Sequence, residues 1–105
     1  MAKYLLVYHG GGMAEGQEAQ DKVMAAWGTW FQNLGPALAD GGNPVGQTRT
    51  IASDGSVSDG GGANPASGYS LIEADSLDAA VALAKGCPVL GSGASIEVAE
   101  TFNVM

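Results

Sequence analysis

The chain opens with Met1-Ala-Lys-Tyr-Leu-Leu-Val-Tyr-His9, followed by Gly10, Gly11 and Gly12. Tyr4 to Tyr8 is an unbroken run of β-formers and aliphatics, long enough for one strand and too short for a helix. A strand apolar on both faces must be covered on both faces, which places this one in the middle of a sheet. It carries His9, the only histidine of the chain, to its end. The glycines open a turn there and leave backbone amides uncovered, so His9 is expected at the mouth of any pocket the chain encloses.

Working outward, Glu15 to Ala39 reads as a long amphipathic helix. Val23, Trp27, Trp30, Phe31, Leu34 and Leu38 fall on one helical face. Gly28 and the Gly35-Pro36 pair interrupt the pattern, and the pair predicts a kink or a local break of the helix, with Gly41 as the left-handed cap. Val45 to Ile51 alternates like a second strand, polar enough for a sheet edge. Asp54-Gly55 is a hairpin signal, and Asp59-Gly60-Gly61-Gly62 reads as a flexible loop. Gly68 to Ala74 is the third strand. Ser76 caps a second helix, Leu77 to Lys85, with Gly86 just past its end and Leu77, Ala80, Val81 and Ala84 as its buried stripe. Ser95 to Thr101 is a fourth strand, with Ile96 and Val98 on one face.

The order is β-α-β-β-α-β, which right-handed crossovers fold into a four-stranded antiparallel sheet with both helices on one face. The first and third strands are expected side by side and parallel, with His9 near the C-terminal half of the third. The other sheet face stays bare, although either Tyr4, Leu6 and Tyr8 or Leu5 and Val7 must lie on it. A second copy is the simplest cover, so a homodimer through sheet faces is expected.

Composition sets the outer bounds. The 105 residues make one domain, 1–105, and the 46% hydrophobic content excludes disorder. A net charge of −7, with four scattered cations, argues against nucleic acid and anionic membrane surfaces. The single cysteine, Cys87, excludes an internal disulfide and makes a thiolate metal cluster implausible. No stretch has the length of a signal peptide core or a membrane span, so a cytoplasmic location is expected.

Lys3-Tyr-Leu-Leu-Val-Tyr-His9-Gly10, the central Asp-Gly, Gly68-Tyr69, the Leu77-Asp78-Ala79-Ala80 helix and its Gly86-Cys87-Pro88 ending together resemble the YCII-related (DGPF-type) proteins. The resemblance covers nearly the whole chain and is most specific from Gly68 to Pro88. It implies an α+β, ferredoxin-like fold that dimerises into an α+β barrel. Where the family often reads Asp-Gly-Pro-Phe, this chain has Asp59-Gly60-Gly61-Gly62. The first helix carries Trp27 and Trp30 where some relatives have a histidine. A His–Asp mechanism must therefore run through His9, with Asp59 as its partner.

Other motifs fail on their own terms. His9-Gly10-Gly11-Gly12 mimics the oxyanion glycines of esterases, but no Gly-x-Ser-x-Gly accompanies it. Asp54 to Asp59 suggests a calcium loop, yet Pro65 stands where the bidentate glutamate belongs. No Gly-x-Gly-x-x-Gly links a strand to a helix, so no nucleotide is expected. What remains is His9 as a proton carrier with Asp59 orienting it, and Gly10, Gly11, Tyr69 and Ser92 as substrate contacts. No metal or cofactor is expected. The function expected is a cofactor-independent lyase or isomerase acting on a small molecule. The alternative is a non-catalytic module that binds a small ligand or a protein.

Overall fold

The computed structural model describes residues 2–11, 16–62 and 64–102. Strand β1 (Ala2–His9) leads into helix α1 (Gln17–Leu34) and a 3-10 turn (Gly35–Ala37). Three short strands follow: β2 (Leu38–Asp40), β3 (Arg49–Ile51) and β4 (Val57–Asp59). The long strand β5 (Ala66–Ala74), helix α2 (Leu77–Ala84), a second 3-10 turn (Pro88–Ser92) and strand β6 (Ser95–Glu100) complete the chain. The main sheet has four strands in the order β2-β5-β1-β6, every neighbouring pair antiparallel. The result is an α+β fold with two helices, and its strand order is that of a ferredoxin-like arrangement.

The direction of the third strand differs from expectation. β1 and β5 are antiparallel, so His9 meets Ala66 at the start of β5 and not its C-terminal half. The reason is topological: a helical crossover returns the second strand parallel to the first, and the third reverses against the second.

The identity of the second strand also differs. Gly35, at φ +54, ends α1, and Pro36 starts the 3-10 turn that swings Leu38 into the sheet opposite Ile72. Leu38 and Ala39 are therefore strand, not helix, and the glycine flaw in the sequence marks a stop. Helix α1 runs unbroken through Gly28. Gly41 has no positive φ, whereas Gly42 does, at +72. Glu15, the expected start of the helix, lies outside the described residues. Of the Val45–Ile51 segment, only Arg49–Ile51 is strand, and it pairs with β4 in a separate two-stranded ribbon around Asp54-Gly55.

Alternation along β1 decides which face is core. Tyr4, Leu6 and Tyr8 are buried with Ile72 and Ala74 of β5, Trp30 and Leu34 of α1, and Ala80 and Ala84 of α2. Both helices thus cover one side of the sheet. In α2 the Ser76 hydroxyl accepts from the Ala79 N–H at 3.1 Å, a regular N-cap. Leu77 and Val81 are exposed, so the buried stripe of α2 is narrower than its sequence suggests.

The core contains a buried polar relay. Tyr8 Oη donates to Ser70 Oγ at 2.7 Å, and Ser70 Oγ donates to the Gly41 carbonyl at 2.7 Å. Burial pushes the Tyr8 phenol well above its ordinary range and raises the neighbouring Cys87 thiol too. Trp27 stands edge-on to Tyr8, ring centroids 5.5 Å apart, and Trp30 Nε1 donates to the Leu83 carbonyl at 3.1 Å. These bonds lock α1 against both the sheet and α2.

The opposite sheet face carries Lys3, Leu5, Val7 and His9 of β1, Tyr69, Leu71 and Glu73 of β5, and Glu97 and Ala99 of β6. Among the described residues no helix packs on this side. The thinnest extent of the molecule is 18 Å, and its radius of gyration is 15.1 Å. A compact chain of this length gives about 13 Å. No helix among the described residues is long and apolar enough to cross a membrane.

Candidate functional site

His9 ends β1 on the uncovered face. Its Nδ1 lies 2.9 Å from the Asn64 carbonyl oxygen, and its Nε2 lies 3.1 Å from Glu97 Oε1. The β1–β6 register explains Glu97: it stands opposite Val7, one diagonal step from His9 on the same face. A one-residue register shift between Tyr8 and His9 brings the start of β5, and with it Asn64, to the ring.

A carbonyl and a carboxylate can both only accept, so whichever ring nitrogen carries a proton has an acceptor within hydrogen-bond distance. Both ring nitrogens face internal acceptors. The Glu97 side chain is 66% exposed and that of His9 19%, so the pair sits at the rim of the face and not in its depth.

The glycines after His9 take backbone conformations that other residues rarely adopt, φ +74 at Gly10 and +83 at Gly11. A Cβ on Gly11 would stand 2.6 Å from Ser92 Oγ, so the turn packs directly on the second 3-10 turn. Ser92 Oγ itself donates to the Val89 carbonyl at 2.7 Å. Ser92 therefore lies against Gly11, two residues past His9 in the chain. Gly12 lies outside the described residues.

Asp59 is placed elsewhere. It ends β4, its carboxylate 3.9 Å from Arg49 Nε, and no hydrogen bond or ion pair joins it to His9 among the described residues. The carboxylate on His9 is Glu97. Tyr69 lies opposite Val7 on the uncovered face. The expectation of one ring nitrogen left open toward a pocket is also not met.

Glu97 is the residue the sequence reading passes over, and Asn64, before Pro65, reads from sequence first of all as a turn residue. The Ser95-Ile96-Glu97-Val98 alternation already assigns Glu97 to the face away from the core. Combined with antiparallel pairing to β1, that parity would have reached His9. Asn64 contributes a backbone oxygen, which no side-chain pattern announces.

The larger concavity lies on the other side of the molecule. A groove of about 570 Å³ runs between the helices, lined by Trp30, Leu34, Leu83 and Pro88 with Thr29 and Asn33 at its polar edge. A smaller one of about 140 Å³ lies between α2 and β6. His9 lines neither. No group of three or more metal-ligating side chains occurs among the described residues.

No family model matches the chain, and no curated protein or solved structure matches it either.

Proposed function

We propose that this protein is a non-catalytic interaction module that works as a pair of copies joined through their uncovered sheet faces. The observation that carries the reading is the His9 ring, whose nitrogens are both committed to internal acceptors, Asn64 and Glu97. A proton carrier needs one nitrogen open to its substrate. Here the ring ties the chain before β5 to β1 and β6, which is a structural task. The pairing is supported by Leu5, Val7, Leu71 and Ala99, cross-strand neighbours at the centre of a face that no helix covers among the described residues. Kinship with the YCII-related proteins is part of the same proposal, supported by the strand order and the Gly68 to Pro88 segment.

A second reading keeps His9 as a proton carrier for a lyase or isomerase reaction on a small molecule. Its support is the exposed Glu97 side chain, which can swing away and free Nε2 beside the Gly10 and Gly11 amides. His9→Asn separates the two. Under the module reading the change lowers the melting temperature by several degrees, because a hydrogen bond worth about 0.5–1.5 kcal/mol is lost at each nitrogen that is no longer matched. An unchanged melting temperature together with lost turnover of a small-molecule substrate would reverse the choice.

A further inference from the structure

The β3–β4 ribbon has few contacts with the rest of its own chain, its root excepted. Thr50 Oγ1 donates to the Gly60 carbonyl and the Gly60 N–H to the Thr48 carbonyl, closing that root. An isolated two-stranded ribbon is at best marginally stable in water. This one also alternates: Arg49, Ile51, Val57 and Asp59 share one face, Thr50 and Ser58 the other. Ile51 and Val57 stand directly opposite each other and are 71% and 60% exposed. A period-two pattern with its apolar side in solvent is a surface waiting for cover.

We infer that the ribbon is an arm that crosses to a second copy and closes over the His9 end of the partner's sheet face. The inference rests on the sheet-face pairing proposed above and adds its reach and its orientation. The occupant follows from complementarity. The arm presents two aliphatic side chains with a cation, Arg49, 63% exposed and held only at 3.9 Å by Asp59. The sheet face presents Val7 and Tyr69 beside Glu97, a carboxylate whose only partner among the described residues is His9. The root of the arm lies at the same end of the sheet, because Asn64 is bonded to His9. A twofold axis running along the strands then sets each arm over the other copy's His9 end, so both unpartnered surfaces are buried together. The pairing also places Arg49 of each arm against the partner's Glu97. A chain of net charge −7 needs such local matches to associate with itself.

The test is sedimentation velocity on the full chain and on four variants, with circular dichroism to verify folding. Wild type is expected to dimerise, and Ile51→Glu combined with Val57→Glu should raise the dissociation constant at least a hundredfold, as burial of two aliphatic side chains from each copy implies. Arg49→Glu should weaken the dimer about tenfold, and Arg49→Glu with Glu97→Lys should restore it. If Leu71→Glu yields monomers while the arm variants dimerise as tightly as wild type, the sheet-face pairing stands and the arm inference is wrong. If wild type is itself monomeric, both are wrong. Hydrogen exchange of wild type guards against misfolded variants: the Arg49–Asp59 amides should gain protection as concentration rises through the dissociation constant, and protection independent of concentration overturns the crossing.

Discussion

Replacing Ser70 with alanine removes a single oxygen and leaves two groups without a partner. Ser70 is fully buried, accepts from Tyr8 Oη and donates to the Gly41 carbonyl, both at 2.7 Å. In Ser70→Ala the phenol keeps only the soft Cys87 sulfur nearby, and the carbonyl keeps partial access to water. An unpaired buried polar group costs about 1–3 kcal/mol, so the expected loss is about 2–4 kcal/mol. Tyr8→Phe alone should cost about 1 kcal/mol, because Ser70 keeps its bond to Gly41. The double variant should be more stable than the sum of the two losses by at least about 1 kcal/mol, since only Gly41 is then left orphaned. Urea unfolding at one fixed protein concentration measures all four proteins on a common scale whatever their state of association. A Ser70→Ala variant within about 0.5 kcal/mol of wild type, or strictly additive losses, would refute the relay as a stabilising unit.

Three further outcomes follow from the same structure. The Tyr8 phenol is raised in the folded state above its ordinary value of 10.0, so its contribution is full below pH 10.0 and lost as pH climbs above it; thermal melts should show alkaline destabilisation that Tyr8→Phe reduces, and an identical alkaline slope in that variant would contradict the assignment. Gly42→Ala should destabilise by more than about 3 kcal/mol, because φ is +72 and the added Cβ would collide with the Tyr69 carbonyl oxygen; a folded variant of wild-type stability would show the turn misplaced. Gly28→Ala should instead stabilise by about 0.5–1 kcal/mol, since the position is helical and nothing lies within 4 Å of the new methyl; a loss seen in chemical denaturation would mean that the helix face is covered.

Much of the fold was legible because it depends on local periodicity. Tyr4 to Tyr8 read as a strand, Trp27 to Leu34 as a helical face, and Ser76 as a cap, and each rests on contacts within a few residues in sequence. The errors arose where chain direction or competition between elements decided the outcome. Leu38 fits the helical stripe, but Gly35 and Pro36 end the helix first and hand Leu38 to the sheet. Val45 to Ile51 alternates convincingly, yet its strand pairs with Val57–Asp59, because the Asp54-Gly55 turn makes that hairpin the nearest partner. Leu77 and Val81 match a buried stripe, but α2 rests on the sheet through its alanines. At the site, His9 and its glycine turn stood out by type and spacing. Its two partners did not: Glu97 is 88 residues away, and Asn64 acts through its backbone. Long-range register decides such contacts, and register needs correct strand directions.

The proposed pairing puts a second copy over the uncovered sheet face. Light scattering of the wild-type protein at micromolar concentration, beside Leu71→Glu, tests this most directly. Leu71 lies at the middle of the uncovered face, paired with Leu5, and contributes nothing to the buried core. The expected result is twice the chain mass for wild type and a single chain mass for Leu71→Glu, with circular dichroism unchanged. A single chain mass for the wild type, or an undiminished dimer in Leu71→Glu, would contradict it.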